Sequence, residues 1–427
     1  MATELLERVD LLGGDAQFEL CSRDGRPAPD GDGTAAGLAK AERRYRHGDV
    51  RRHITTVQGG GGPMPVLRIL QTNACAKDCF YCPFRAGRDF RREAFTPDEM
   101  AKLVDQLHRA RLIRGLFLSS GVVGHGDYSM AQIVATAEIL RGRYQFAGYL
   151  HLKIMPSASD AAIDRAVQLA DRVSINLEAP NVERLAKLTS TKDLKSDLVA
   201  PIRRVHNLLT APDRPHRRRQ VSQTTQFVVG AAGESDTEIL KTTEYLYRWL
   251  GLARIYYSAF RPIPDTPLDG QPPEDPQRER RLYQADFLIR DYGFSLDDMP
   301  IDDSGRLPGQ LDPKLAWAQA HPERYPVELN RADRQELLRV PGIGPRAADA
   351  ILAARGVVGS GGSGGSGASG GAGGSRGSRG SGRSTSTGGL SDVSDLRRLG
   401  VQPGRVIPWV TIRGRRPPVQ LAMPGIA

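Results

Sequence analysis

Three cysteines within eight residues are the strongest chemical signal in this chain. Cys75, Cys79 and Cys82 form a C-x3-C-x2-C pattern. Three thiolates at this spacing can bind three corners of a four-iron cluster, which needs four ligands when protein alone holds it. The open iron would then take an external ligand. The alternative is a structural zinc ion with Cys21 or His125 as fourth ligand. We expect Cys21, the remaining cysteine, to be a buried apolar residue.

The cysteines directly follow the first of six short apolar or β-branched runs that alternate with helical patterns. The predicted strands are Val66–Thr72, Ile113–Ser119, Tyr149–Met155, Arg172–Leu177, Thr225–Val229 and Ile255–Phe260. Strands that are each followed by a helix pair in parallel through right-handed crossovers. We therefore predict an α/β fold, a partial (β/α)6 TIM-like barrel over residues 63–300, with its chemistry at the strand carboxyl ends. A doubly wound open sheet is the alternative.

Two helix starts and one loose segment frame this barrel. Thr96-Pro97-Asp98-Glu99 and Ser235-Asp236-Thr237-Glu238 are both capping boxes, which mark helix N-termini. Residues 22–62 are rich in Gly, Pro, Asp and Arg. We therefore predict residues 1–62 to be an N-terminal extension that is partly flexible.

With Tyr81 placed just before the third cysteine, the motif resembles that of the radical S-adenosylmethionine (SAM) enzymes. The resemblance implies a [4Fe-4S] cluster whose open iron is chelated by the amino and carboxylate groups of SAM. It also implies reductive cleavage of SAM to a 5′-deoxyadenosyl radical that abstracts hydrogen from an unreactive carbon. The protein then orients the cofactor and excludes side reactions. A reductant such as flavodoxin or ferredoxin is the implied partner.

Small or polar residues after the second, fourth and fifth strands fit the same resemblance. In the family these places contact the methionine amino group, the ribose with the methionine, and the adenine. After the second strand, serines stand where the family usually has glycine-glycine-glutamate. The implied cofactor-binding residues are Tyr81, Ser119, Ser120, Gly121, Asn176, Glu178, Gly230 and Glu234.

Four further strand residues are catalytic candidates. His151 and Lys153 alternate on the third strand and share one face, which we expect to be the inner face of the barrel. Tyr256 and Tyr257 on the last strand could stack on a base or relay hydrogen. Each has a structural alternative, since paired tyrosines in a strand usually pack and Lys153 can balance the charge of Glu178.

The C-terminal part predicts two helices around a tight turn. Residues 330–355 contain Pro341-Gly342-Ile343-Gly344-Pro345, and we expect Asn330 to cap the first helix. The glycines let backbone N–H groups approach a phosphate without base-specific contacts. The motif resembles the helix-hairpin-helix of DNA repair and processing proteins. The resemblance implies DNA contacts by Gly342, Ile343, Gly344 and Arg346. A plain αα-hairpin is the alternative.

We predict residues 329–427 to be a small all-α module that follows a connecting segment, 301–328. A Gly/Ser/Arg-rich insertion interrupts it at residues 356–389, where 16 of 34 residues are glycine. Residues 395–400 predict another short helix and 406–412 have a strand pattern. We expect both to complete the module.

Charge and composition narrow the partners. Of the net charge of +10, +8 falls in residues 321–427, which contain 15 Arg, no Lys and 7 acidic residues. This basic end predicts a bound polyanion, although an arginine-biased composition would look the same. There is no apolar run of 18 residues and no apolar segment typical of a secretory signal. We therefore expect a cytoplasmic protein with no membrane partner.

Over most of its length the chain resembles the DNA modification/repair radical SAM protein family. The supporting stretches are residues 67–75, 119–123, 151–153, 256–260 and 312–317. The resemblance implies DNA as substrate and a uracil-DNA-glycosylase-like protein as partner. An RNA-modifying radical SAM enzyme and a non-catalytic DNA-binding protein with a structural metal are the alternatives.

Overall fold

The computed structural model describes residues 2–18, 50–59, 62–212, 220–355 and 389–418. The chain divides into two compact units. The first contains Met1–Asp286 and Ile301–Gly309, and the second contains Phe287–Pro300 and Gln310–Ala427. Cys21 and residues 356–388 of the insertion lie outside the described residues. Their predicted roles therefore stay predictions.

The first unit is built on a 7-stranded sheet whose strands follow chain order from β1 to β7. β1 is antiparallel to β2, and every later neighbouring pair is parallel. The strands are β1 (Ile54–Gly59), β2 (Gly62–Leu70), β3 (Gly115–Ser119), β4 (Tyr149–Lys153), β5 (Arg172–Ser174), β6 (Ser222–Val229) and β7 (Arg254–Ala259).

The structure confirms the predicted parallel strands and adds one that the sequence analysis missed. β1 lies in the stretch predicted to be loose, where the β-branched run Ile54–Val57 pairs with the first half of β2. The sheet also curls. Val66 on β2 and Tyr256 on β7, although far apart in strand order, share one buried cluster with Phe117 on β3. The architecture is therefore a partial α/β barrel.

Helices cover the outside of this sheet. Both predicted capping boxes are present, with Thr96 and Ser235 accepting hydrogen bonds from the backbone N–H groups of Glu99 and Glu238. Such a cap contributes about 1 kcal/mol to stability. The helices are α1 (Ala2–Asp15), α2 (Pro97–Arg109), α3 (Gly126–Gly142), α4 (Asp160–Leu169), α5 (Val182–Ala186), α6 (Ala200–Thr210), α7 (Asp236–Leu250) and α8 (Pro276–Asp291), whose end from Phe287 belongs to the second unit.

The N-terminal helix is an integral part of the first unit. Arg68 on β2 donates to the carbonyl of Ala16 at 2.7 Å, and Asn73 donates to the Asp15 carboxylate at 2.8 Å. Arg8 forms a 2.9 Å salt bridge with Glu99 on α2. These contacts fix the residues after α1 beside the carboxyl end of β2.

The second unit combines short helices with one pair of strands. The helices are α9 (Pro313–Ala320), α10 (Arg334–Arg339), α11 (Pro345–Ala354), α12 (Val393–Arg398) and α13 (Pro403–Val406). β8 (Val327–Glu328) pairs in parallel with β9 (Val410–Thr411), so the prediction of an all-α module was wrong. The strand pattern at residues 406–412 corresponds to β9. It pairs with β8 because the chain after the insertion returns beside the start of the module.

One core joins the chain on both sides of the insertion. Leu337 and Ile351 from the helical hairpin are buried in the same cluster as Leu390, Leu396 and Val406. Asp333, not Asn330, caps α10. Asn330 instead exchanges two hydrogen bonds with the backbone of Leu390, at 2.8 and 2.9 Å. The expected cap was wrong because this side chain fixes the returning chain.

The turn between α10 and α11 has the geometry that its glycines permit. Gly342 has φ +87, a left-handed conformation that other residues rarely adopt. Gly344 precedes α11, and Pro345 is its first residue. Lys314 is buried under this turn, where its Nζ donates to the Ile343 carbonyl at 2.6 Å and lies 4.7 Å from the ring centre of Tyr292.

We predict that Lys314 makes the stability of the second unit depend on pH. Burial lowers the pKa of this amine to about 7, although Asp312 opposes the shift. Between this value and the usual 10.5 only the unfolded chain binds the proton, so stability rises with pH across that interval. The melting temperature of the wild type, relative to that of Lys314→Met, should therefore rise between pH 7 and pH 9. Lys102→Met removes an exposed lysine as control. An equal difference at every pH would contradict the prediction.

Candidate active site

The three cysteines line one cavity at the carboxyl ends of the parallel strands. The cavity has a volume of about 420 Å³, and Cys75, Cys79 and Cys82 all form part of its wall. Backbone N–H groups approach two of the sulfur atoms. Those of Lys77 and Val122 lie 3.4 Å from Cys75 Sγ, and that of Phe84 lies 3.4 Å from Cys82 Sγ. N–H groups in these positions stabilise thiolates and tune a bound cluster.

A buried lysine lies beside the cysteine loop. Lys192 Nζ is 3.2 Å from Glu178 Oε1, and the two side chains are only 8% and 6% exposed. The Cys79 thiol also lies close enough to Lys192 for its charge to act on the ammonium. Although burial opposes it, the charges of Cys79 and Glu178 hold the pKa of Lys192 above its usual value. The lysine therefore keeps its positive charge inside the cavity.

Burial raises the pKa of two of the thiols, whereas it acts to lower the pKa of the lysine. It raises the pKa of Cys79, and the ammonium of Lys192 only partly offsets that effect. It also raises the pKa of Cys82 well above the usual value, and the charge of Cys79 adds to this shift. Buried thiols become thiolates readily when a cation binds them, so these side chains suit a metal cluster.

Glu178 adopts an unusual backbone conformation that aims it into the cavity. Its φ is +66, which a non-glycine residue seldom adopts. Two backbone hydrogen bonds to β6 hold it there. The N–H of Glu178 donates to the Gln226 carbonyl, and its carbonyl accepts from the Val228 N–H, both at 2.9 Å. Within the described part of the chain, its second carboxylate oxygen, Oε2, is buried without a hydrogen-bond partner. A buried acceptor in this state suits a hydroxyl or ammonium donor from a ligand.

The lysine depends on a loop that is bound to the cysteine motif itself. Asp78, within the motif, accepts hydrogen bonds from the hydroxyls of Thr189, Ser190 and Thr191 at 2.6, 2.5 and 2.7 Å. Despite partial burial, these bonds lower the pKa of Asp78. Lys77 Nζ adds a 2.8 Å bond to the Thr191 carbonyl. The residue after Thr191 is Lys192, so this network positions the ammonium.

A close backbone approach places the loop after β3 against the cysteine loop. A Cβ on Gly121 would overlap the carbonyl oxygen of Ala74, which precedes Cys75. The N–H of Gly121 donates to the Thr72 carbonyl at 2.7 Å. Only glycine therefore fits at position 121, and this brings Ser120 to the cavity wall.

The cavity brings together part of the site expected from sequence. Its wall includes Tyr81, Ser120, Gly121, Asn176 and Glu178 from the expected cofactor-binding residues, and Lys153 from the expected catalytic residues. Asn176 and Glu178 follow β5, which ends at Ser174, earlier than predicted. The chain leaves the strand ladder there because Thr225 takes over, donating to the Ile175 carbonyl at 2.6 Å and accepting from the Leu177 N–H at 3.0 Å.

Three of the expected cofactor-binding residues do not line this cavity. Ser119 is fully buried within β3. Glu234 accepts hydrogen bonds from the N–H groups of Gly230 and Ala232, and its carboxylate lies 3.7 Å from Arg278. Gly230 has φ +95, and a Cβ there would overlap Glu274. Gly230 and Glu234 therefore shape the loop after β6 from behind the wall.

Three expected catalytic residues also lie elsewhere. His151 is 2% exposed, and its Nε2 pairs with Ser174 Oγ at 2.9 Å. Burial and the charges of Arg172, Lys153 and Arg68 hold its pKa well below the usual value. Tyr256 packs in the buried cluster with Val66 and Phe117, and Tyr257 hydrogen-bonds to Thr243 on α7 at 2.9 Å. Packing, the structural alternative, describes both tyrosines.

The sequence analysis missed Lys192 and Arg261, which also line the cavity. Lys192 lies in a polar stretch 14 residues beyond Glu178, with no strand or glycine turn to mark it. Only the side-chain network from Asp78 brings it to the cysteines. Arg261 directly follows the predicted last strand, so its position relative to that strand could have indicated it.

The residues present fit a cluster bound together with a zwitterionic cofactor. Three converging thiols can bind three irons of a [4Fe-4S] cluster, and the cation of Lys192 and the anion of Glu178 match the carboxylate and ammonium ends of SAM. Asn176 adds an amide at the same wall.

The fold and the site together define a partial α/β barrel with three cysteines in a cavity at the strand carboxyl ends. Residues 69–246 match the sequence model of the Radical SAM superfamily, so this part of the chain is a radical SAM domain. Domains of this superfamily are enzymes that use a [4Fe-4S] cluster and SAM, and these are the cofactors of this domain.

Several solved structures are similar to the chain. The crystal structure of HydG, a maturase of the [FeFe]-hydrogenase, has 13% identity and a TM-score of 0.42, over 68% of this chain and 64% of HydG. Methylornithine synthase (PylB) has 13% identity and a TM-score of 0.42, over 68% of this chain and 76% of PylB. HydG from Carboxydothermus hydrogenoformans has 14% identity and a TM-score of 0.40, over 68% and 69%. The chain thus spans less than two thirds of the first of these proteins.

No helix of the described residues is long and apolar enough to cross a membrane.

We predict that Asp78→Asn reduces SAM affinity without removing a ligand of the cluster. The amide is the same size as the carboxylate but cannot accept all the hydrogen bonds from residues 189–191, so the loop that carries Lys192 loosens. Equilibrium binding of SAM to anaerobically reconstituted protein should weaken about tenfold, the effect of losing about 1.4 kcal/mol. Asp302→Asn is the control, since Asp302 accepts similar bonds from Ser304 and Arg306 in an exposed turn. An equal effect of both substitutions would contradict the prediction.

We predict separate effects of Lys192 on folding and on binding. Lys192→Met strands a buried carboxylate, which costs about 3–5 kcal/mol of stability. Adding Glu178→Gln should restore much of the melting temperature but not SAM binding, because the cation for the carboxylate end is still missing. Lys187→Met breaks the exposed pair with Glu183 and is the control, with an expected loss of under about 1 kcal/mol. Full recovery of SAM binding in the double variant would refute the role of Lys192.

Proposed function

We propose that this protein is a radical SAM enzyme that acts on a base or sugar of DNA, in modification or repair, in the reducing cytoplasm. One observation supports the radical chemistry most directly. Three cysteine thiols meet the buried pair Lys192–Glu178 in a single cavity at the strand carboxyl ends. A structural metal site needs the thiols but has no use for the buried ion pair.

In this proposal the chain's residues divide the work of binding. Cys75, Cys79 and Cys82 bind the cluster. Lys192 attracts the carboxylate of SAM, while Glu178 and Asn176 accept hydrogen bonds from its ammonium or ribose hydroxyls. When bound, cluster and SAM supply a 5′-deoxyadenosyl radical under reduction. Apolar residues of the wall, such as Met155 and Ile175, keep water from this region.

Lys153 is the expected catalytic residue that lines the cavity. It is 6% exposed and ends β4, two strands from β2, which the cysteine loop follows. We infer that its ammonium orients a polar substrate group or donates a proton to it. Lys153 would then have the catalytic role that the sequence predicts for it.

Two features of the second unit support DNA as the substrate. Residues 321–427, which form most of this unit, have a net charge of +8. Its tight turn has the glycine geometry that lets backbone N–H groups approach phosphates. A base inside a duplex would have to be flipped out, or already unpaired, to reach the cavity. Flavodoxin or ferredoxin as reductant, and a uracil-DNA-glycosylase-like partner, belong to the same proposal.

The alternatives differ in what they require of the cavity. Among the described residues, no group of three or more His, Cys, Asp or Glu side chains is arranged to hold a single metal ion. Structural zinc would need a fourth ligand such as His125 or Cys21, and Cys21 lies outside the described residues. An RNA substrate would use the same cavity and differ only in the polynucleotide.

The decisive experiment is anaerobic reconstitution with iron and sulfide. We expect a site-differentiated [4Fe-4S] spectrum and reductive cleavage of SAM with dithionite. Bound zinc with no cleavage would leave only a binding protein. Mass spectrometry of DNA from deletion and parent strains, searching for one altered nucleoside, would then identify the product.

We predict that the two units can be inactivated separately. Cys79→Ala should lose the cluster and keep DNA affinity. Gly342→Val with Gly344→Val should do the reverse, because side chains there meet Val406 and Tyr292. Since that pair of substitutions could unfold the second unit, Arg346→Gln tests the same turn with its glycines intact. Loss of DNA binding together with the cluster in Cys79→Ala would contradict the division of labour.

A further inference from the structure

A basic loop borders the mouth of the cavity immediately after the cysteines. We call residues 83–92 the arginine loop. Pro83 and Phe84 at its start are part of the cavity wall. At its centre, Arg88 Nε donates to the carbonyl of Pro264 at 3.0 Å, in the segment that follows the wall residues Arg261 and Ile263. The loop therefore connects the β2 side of the cavity with its β7 side.

The arginine loop concentrates positive charge in a part of the chain that is otherwise nearly neutral. It contains four arginines and one aspartate, a local excess of +3, whereas residues 1–320 together have +2. Arg91 is neutralised by Glu93, 2.8 Å away. Within the described residues, Arg85 and Arg92 form no salt bridge. Arg85 donates to the backbone carbonyl of Asp78, and Arg92 donates to those of Arg85 and Arg88.

An aromatic ring holds two of these arginines in place. The guanidinium carbon of Arg92 lies 4.2 Å from the ring centre of Phe90, and that of Arg88 lies 5.6 Å from it. Phe90 itself leans on Phe84 of the cavity wall, with ring centres 6.1 Å apart. Guanidinium groups that are ordered by stacking lose less entropy when they bind a phosphate in the fork geometry.

We propose that the arginine loop binds the phosphodiester backbone of a single-stranded or locally unpaired polynucleotide whose target nucleotide enters the cavity. The inference rests on the proposed function and adds a substrate-binding surface in the first unit. Arg85 and Arg92 contact phosphates on either side of the inserted nucleotide. Arg261, exposed on the opposite rim and part of the wall, meets the strand as it leaves.

An acidic electron-donor protein is the other macromolecule that a basic surface near the cluster could attract. The position of the loop favours the polynucleotide. A donor protein needs only proximity to the cluster, whereas a strand whose base enters the cavity must cross its rim. The loop's contact with the segment after β7 places its arginines on that rim.

The test compares two matched double variants of the full-length, reconstituted protein. Arg85→Gln with Arg92→Gln removes two charges from the loop. Arg111→Gln with Arg114→Gln removes two exposed charges just before β3, at the amino ends of the strands and so away from the cavity. Fluorescence anisotropy with a labelled 20-nucleotide single strand, as DNA and as RNA of equal sequence, is measured across salt concentrations.

We expect the loop variant to bind about tenfold more weakly at low salt. Its log–log salt dependence should be shallower by about 1.4, the loss of two phosphate contacts on a single strand. The control variant should bind like the wild type. The tighter of the two strands identifies DNA or RNA as the source of the phosphodiester.

Three results would overturn the proposal. One is unchanged binding and salt slope in the loop variant, and another is an equal loss in the control variant. The third is unchanged polynucleotide binding combined with slower cluster reduction by flavodoxin, which would make the loop a donor site. Failure of the proposed function appears separately, as a wild-type protein that does not cleave SAM with dithionite.

Discussion

The site depends on a positive charge buried against sulfur. Lys192 has little access to water, and Glu178 and Cys79 replace the water it has lost. Such a charge is stable only while its partners keep their geometry, because an ion left alone at this depth is strongly unfavourable. The cysteine loop, the segment 189–192 and the turn at Glu178 are therefore mutually dependent. This explains why Asp78, which binds no cofactor itself, lies inside the cysteine motif.

The parallel strands and the cysteine site could be predicted from sequence because their signals are local. β-branched runs, capping boxes and a tight C-x3-C-x2-C spacing need no knowledge of distant residues. Lys192 could not be found this way, since the residues just before it, Thr189 to Thr191, are held by hydrogen bonds to Asp78, more than 100 residues earlier. Glu234 is the opposite case. It follows the correct strand, but its carboxylate is used by its own loop and by Arg278.

The same contrast applies to the tyrosines, which lie outside the cavity wall, and to the strands of the second unit. Sequence alternation shows that Tyr256 and Tyr257 face opposite sides of β7. It does not show whether either side chain reaches the cavity. In the second unit, two-residue strands are too short for any periodic signal. β8 and β9 form because Leu329 and Val410 belong to one core, so pairing follows packing.

The two hydrogen bonds between Asn330 and Leu390 affect which changes of chain length the second unit can tolerate. They fix the re-entry point of the backbone after residue 388, while Ile351 fixes the departure point in the same core. The composition of the residues between the two points predicts a flexible segment, and doubling the length of such a segment costs only about 0.6 kcal/mol. The module should accept a longer or shorter spacer, or a break in the backbone there, with the last piece supplied as a separate peptide that reassembles with the rest.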